Sequence, residues 1–321
     1  MKLKDIISII LLLSTAVACQ KNNLPQRKGT ALEFASSGTK SGLSDNYGNF
    51  KVWAKSHSDV SETTIMDGYR VNYDPASGWT YTSGEGTGDQ ELKFWELSAT
   101  SYSFHAGAPA SKVNGIDASS LTLSLVSTTS LAEASLYSEP YLVKRNDPLF
   151  GHVVTLNFIY ANARVNLAFK YPSSTQHSIK NIKLIPISEA SSYTTEAELR
   201  VDYDWGKLSA TAGTMSRTST SREAISFPDM DIPAETMEAV ATAEPRYMIP
   251  DHSVAGQWRL SLEIDGETRQ VDFTITKTWE SGKSYLYRFE YTDGSTLVFI
   301  GTSTEMFVGE DLQEGEDHNF S

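Results

Sequence analysis

Imidazole is both a metal ligand and a general base near neutral pH, so the six histidines, His57, His105, His152, His177, His252 and His318, are the first residues to test for chemistry. They fall far apart, with no His-x-x-x-His or His-Glu pair to bring two ligands to one ion, and no metal site is expected. Serine is abundant, yet no Gly-x-Ser-x-Gly elbow occurs and nothing in the spacing points to a hydrolase triad. Asp229 and Asp231 flank Met230 ahead of Pro233; paired carboxylates serve glycoside hydrolysis, but beside a proline they read as a turn. Residues 84–88, Gly-Glu-Gly-Thr-Gly, lack the strand-loop-helix frame and the following Lys of a phosphate cradle, and read as a flexible hairpin loop. Glu310, Asp311, Glu314, Glu316 and Asp317 lack the spacing of a calcium loop and read as a solvated tail. Neither catalysis nor a cofactor is expected.

The remaining reactive side chain is Cys19, the only thiol. Lys2 and Lys4 precede an apolar run over residues 6–13 that is broken only by Ser8. At 1.5 Å per residue that run is too short for a bilayer core of about 30 Å, and it reads as a cleavable export signal over residues 1–18. Ala16, Val17 and Ala18 then lead directly into Cys19, which resembles the lipobox of a bacterial lipoprotein. That resemblance implies acylation of Cys19, removal of the peptide before it, and a membrane anchor made of more than one lipid chain. With Cys19 modified no disulfide can form, so stability must come from apolar burial and backbone pairing.

The elements that surround these positions are strands. The chain has 321 residues, 40% hydrophobic and 21% charged, enough for two domains. A net charge of −13 with no basic cluster argues against nucleic acid as a partner. Fifteen tyrosines together with many Ser and Thr favour pleated strands, and the best helix candidate, residues 233–243, sits among Pro228, Pro233 and Pro245. An all-β protein is expected.

Residues 19–29 are polar and aperiodic and read as a tether, able to reach roughly 30 Å at about 3.3 Å per extended residue. Leu32 and Phe34 alternate with polar neighbours in residues 30–37, and Phe50, Val52 and Ala54 do so more clearly in residues 48–56. Short strands follow at 69–73, 79–82, 92–95, 102–106, 121–127 and 140–143, at the spacing of a sandwich. The charged corner at residues 144–148 is the expected boundary between an N-terminal domain, 30–147, and a C-terminal domain, 148–321. Beyond it, residues 152–158 and 163–171 look like paired core strands. Strands at 179–186, 197–202 and 224–227 are interrupted by a Ser/Thr-rich stretch at 209–221. Two hairpins with Asp-Gly turns, at Asp265-Gly266 and Asp293-Gly294, close the chain.

Several stretches resemble the fimbrillin-like lipoproteins of Bacteroidetes, subunits of adhesive surface pili. Trp79-Thr80-Tyr81, Phe94-Trp95 and Tyr102-Ser103-Phe104-His105-Ala106-Gly107-Ala108-Pro109 follow the family's order, as does the segment from Phe158 to Val165. Tyr247-Met248-Ile249-Pro250 and the run from Trp279 to Tyr287 match its Ile-Pro strand and its Trp-x-x-Gly-Lys-x-Tyr-x-Tyr hairpin. The resemblance implies two tandem transthyretin-like β-sandwiches, no enzymatic activity, and assembly by β-strand exchange, with Leu32 and Phe34 on the exchanged strand. In stem subunits an arginine-specific protease removes the first strand. Here the matching position is Lys40, and Arg27, the nearest arginine, precedes the strand. The implied location is the outer membrane, the cell surface or a fimbrium. The implied partners are other pilin subunits, the membrane through the lipid, and a host or bacterial surface receptor or glycan. A second expectation is a monomeric surface lipoprotein that binds glycans through exposed Tyr and Trp faces.

Overall fold

The computed structural model describes residues 29–37, 43, 47–117, 119–171, 173, 175–234, 240–251, 253–292 and 296–307. Strands dominate, and no α-helix occurs among the described residues. The all-β expectation therefore holds. The signal, the tether up to residue 28, the loop around Lys40, Asp293-Gly294 and the acidic tail lie outside the described residues.

The first sheet runs in the order Phe34–Ser37, Val154–Tyr160, Leu136–Ser138, Ser101–Ala108, Asn49–His57, Glu62–Asp74, Gly78–Thr80, with Tyr141–Lys144 also paired to Ser101–Ala108. Strand alternation decides which side chains meet: Phe50, Val52 and Ala54 point to one face, and Trp53 to the other. The sheet curls on itself, so Phe34 at one end reaches Phe50 and Tyr81 near the other, with ring centroids 6.0 and 5.8 Å apart.

On the Trp53 face lies a second sheet, in the order Ser209–Ser221, Tyr193–Asp204, Ser120–Val126, Val113–Asp117. Its inner residues Leu121, Leu123, Leu199 and Val201 face one another in register and bury Trp53 and Tyr137. The Ser/Thr-rich stretch expected to separate strands is thus itself a strand. It carries no apolar alternation because it is the outer edge, largely exposed on both faces.

Two further sheets make a sandwich. One carries Ala163–Lys170 between Lys283–Thr292 and the short Val240–Thr242 and Arg246–Met248, with Thr296–Met306 at its edge. The other carries His177–Pro186 and the hairpin Gly256–Ile264, Glu267–Ile275. Val165, Leu167, Phe169, Trp258, Leu260, Tyr285, Tyr287 and Phe289 fill the space between them. Asp265 and Gly266, at φ 51° and 87°, take the left-handed conformations that a two-residue hairpin turn requires.

The corner at residues 144–148 does not separate the packed cores. Val154–Tyr160 returns to the first sheet, against Leu136–Ser138, and buries Val154, Leu156 and Phe158 beside Phe34. The chain passes to the sandwich between Tyr160 and Ala163, so Val154–Tyr160 and Ala163–Lys170 belong to different sheets instead of pairing. Their shared alternation shows only that each has one buried face. Which core receives that face depends on the cross-strand partner.

Candidate functional site

The N-terminal segment of the first sheet combines deep burial with attachment to one neighbour at a time, residues 93–95 first and then Val154–Asn157. Residues 30–32 run antiparallel to residues 93–95: Leu32 donates its amide to Lys93 O at 2.9 Å and Trp95 donates to Thr30 O at 3.0 Å. The chain then crosses to Val154, whose amide donates to Glu33 O at 2.8 Å, and Phe34–Ser37 continues parallel to Val154–Asn157. Phe34–Ser37 is the terminal strand of its sheet and only four residues long. Parallel pairs are slightly less stable per residue than antiparallel ones.

Leu32 and Phe34 hold this segment by their side chains. Leu32 is 1% exposed and Phe34 5%, and the Phe34 ring meets Phe50, Tyr81 and Phe104 edge to face. Burial of such a side chain stabilises by about 1.5–3 kcal/mol. The expected burial of both residues in the first unit agrees with the structure, whereas Cys19, Arg27 and Lys40 lie outside the described residues.

Two contributors escape sequence reasoning. Tyr81 places its hydroxyl between both backbone groups of Lys93, donating to the carbonyl at 3.2 Å and accepting from the amide at 3.0 Å. Burial pushes the Tyr81 hydroxyl above the ordinary tyrosine range, so it stays protonated and can keep donating. Gly29 passes so close to Trp95 that a Cβ there would stand 1.9 Å from the Trp95 carbonyl oxygen. A glycine at a tether's end looks like punctuation; only the approach of residue 95 gives it a steric reason.

Beside this segment the curled sheet leaves a cleft of about 720 Å³ between Thr63–Ile65 and the run from Leu92 to Ser98. A second cleft, about 740 Å³, lies where the two halves meet and is lined by Tyr137, Met215, Arg217, Asp251 and Trp279. The exposed aromatic faces expected for sugar stacking are scarce. Tyr73, at 36%, is the one exposed aromatic among the described residues, because the sheets turn the other rings inward. No group of three or more His, Cys, Asp or Glu that could hold a metal occurs among the described residues.

The chain belongs to the fimbrillin-like family, whose model matches residues 38–305. Among solved structures it is similar to a proposed cell adhesion protein from Bacteroides ovatus, at 13% identity and a TM-score of 0.55, over 88% of this chain and 99% of that one. It is also similar to a proposed cell adhesion protein from Bacteroides uniformis, at 15% identity and a TM-score of 0.48, over 87% and 98% of the two chains. A fimbrial protein from Bacteroides ovatus matches at 12% identity and a TM-score of 0.37, over 84% of this chain and 50% of that one. No curated protein matches the chain.

Proposed function

We propose that the chain is a non-enzymatic, lipid-anchored fimbrial subunit of the outer membrane surface, anchored at Cys19, that joins other pilin subunits by strand exchange. The observation that carries this reading is the one-sided attachment of Phe34–Ser37: a terminal strand on one neighbour, with Leu32 and Phe34 plugged into the core. If this strand leaves, it exposes the backbone edge of Val154–Asn157 and an apolar slot. A donated strand with the same alternation satisfies both. Membership in the fimbrillin-like family supports the same role. Lys40 stands where the family's stem subunits are cut after Arg, and cutting at Arg27 would remove only tether. The chain therefore keeps its first strand and serves as an anchor, accessory or tip subunit, with a receptor or glycan as the ligand of a tip.

The test compares wild type and Lys40→Arg, each treated with an arginine-specific protease and mixed with fresh subunits. The variant should be cut after residue 40, exchange its strand and form ladders that resist mild denaturant, while the wild type stays whole. A cut variant that remains monomeric would reject strand exchange. A wild type trimmed after Lys40 would reject the non-stem role.

A further inference from the structure

Singly exposed aliphatic side chains are ordinary on a protein surface, so where several of them gather is the observation to explain. Ten large apolar side chains are exposed among the described residues. Four of them, Val60 at 93%, Leu97 at 55%, Leu149 at 56% and Val153 at 41%, sit on three loops that close the same end of the first sheet. Backbone hydrogen bonds tie these loops together. The Thr100 amide donates to His57 O at 2.7 Å, which holds the 96–100 loop against the 58–61 hairpin turn. The Arg145 amide donates to Thr100 O at 2.8 Å and brings the 145–153 loop to the same place, where the Phe150 ring packs 5.0 Å from that of Trp95.

The chain enters the fold at this same end. Gly29 rests on the Trp95 carbonyl, two residues ahead of Leu97, and the Val154 amide, next to Val153, donates to Glu33 O. Val154–Tyr160 starts here and delivers the chain to the second half at its far end, seven residues or roughly 20 Å away. Nine residues separate Cys19 from Gly29 and span at most roughly 30 Å when extended, so a lipid on Cys19 keeps this end closest to the bilayer. Lys144 and Arg145 stand here against Asp59, Glu96 and Asp147, so no excess of positive charge draws anionic headgroups, and the apolar side chains are what a lipid surface would meet. We propose that the loop tips carrying Val60, Leu97, Leu149 and Val153 dip into the phospholipid surface beside the anchor, so that the first half stands on the bilayer and the second half points away from it. This rests on the lipid anchor proposed at Cys19. The anchor already holds the protein at the surface, so a few aliphatic side chains too weak to recruit a free protein are enough to orient a tethered one.

The acylated full chain is reconstituted in phosphatidylcholine vesicles with a dye on Leu97→Cys or, in a second sample, on Val298→Cys, an exposed site on the edge strand of the second half. Lipids carrying a nitroxide near the headgroup are the probe. Quenching should be several-fold stronger at position 97 than at position 298, and should not change when phosphatidylglycerol is added or salt is raised. Val60→Ser combined with Leu149→Ser should cut the quenching at position 97 by about half. Flotation with the vesicles and the melting temperature should stay as they were, because both side chains are exposed in the fold. A chain that does not float with the vesicles overturns the anchor, and this inference with it. One that floats while position 97 is quenched no more than position 298 overturns this inference alone. Quenching that appears only with phosphatidylglycerol and vanishes in high salt overturns the apolar contact. Excimer emission from pyrene at position 97 would give this end to a second copy of the chain and overturn it equally.

Discussion

The ring of Phe307 lies face to face with that of Tyr160, 3.8 Å between centroids and 13° between planes. Tyr247 stacks nearby at 5.8 Å, and the Arg164 guanidinium stands over the Phe307 ring at the same distance. The end of the last strand is therefore pinned to the point where the chain passes between its two halves. Phe307→Ala should lower the unfolding free energy by about 3–5 kcal/mol, the usual range for a buried phenylalanine, and urea denaturation measures it.

Gly29→Ala tests the seat of the N-terminal strand. Its Cβ would collide with backbone, which cannot rotate away as a side-chain tip can. A loss of about 1–3 kcal/mol is expected, concentrated in this segment, so the amides of Leu32 and Trp95 should exchange faster while those of Ala163–Lys170 keep their protection.

Asp251 joins the two halves. Its buried carboxylate accepts the Thr194 hydroxyl at 2.5 Å, the Ser253 amide and hydroxyl at 2.8 Å each, and the Arg217 guanidinium at 2.9 Å. Asp251→Ala removes the acceptor from all of them and should cost about 3 kcal/mol. Arg217 is 37% exposed and can rehydrate, so Arg217→Ala should cost no more than about 1 kcal/mol. Thermal unfolding of both variants decides whether the buried polar partners or the ion pair dominates.

Alkaline pH should loosen both halves together. Burial pushes the hydroxyls of Tyr102 and Tyr285 up to about 12, against about 10 in an unfolded chain. The folded state thus holds these protons more tightly. The contribution is fully present below pH ~10 and lost as pH rises toward 12. Phenolate absorbance titrated alongside unfolding should show these two groups ionising late, and Tyr102→Phe should reduce the alkaline drop.

Cys19→Ala should leave the protein unprocessed or soluble. Palmitate labelling and membrane fractionation check this, and a variant that is still labelled and membrane-bound would remove the anchor from the reading.

Where one face of a strand was buried and the other wet, the residues announced it: the pair Trp258–Ile264, Thr268–Ile275 follows that pattern. Sheet membership was not legible, because alternation in Val154–Tyr160 says which side chains are buried but not under which neighbour. Ser209–Ser221 was invisible for the opposite reason, having no buried face to mark it. A repeated device also escaped notice. The Glu96 amide donates to Tyr102 Oη at 2.6 Å and the Glu280 amide to Tyr285 Oη at 2.9 Å, each just after a buried Trp. The Trp-Glu pair ahead of a Tyr was visible in both halves of the sequence, but the backbone bond needed coordinates. Leu32 and Phe34 could be read as core residues, whereas the parallel pairing with Val154 could not, since its partner lies far along the chain.

The pairing of Phe34 with Val154 also sets a timetable. In chain order Phe34–Ser37 comes before every other strand of its sheet, yet its partner follows some 120 residues later. Closing so long a loop is slow compared with forming local hairpins. Throughout that interval the first strand to be made has no edge to join. The slot it will fill is therefore the last part of the first sheet to be claimed as the chain is made, and under the proposed strand exchange that interval is when a strand from another subunit would compete for it.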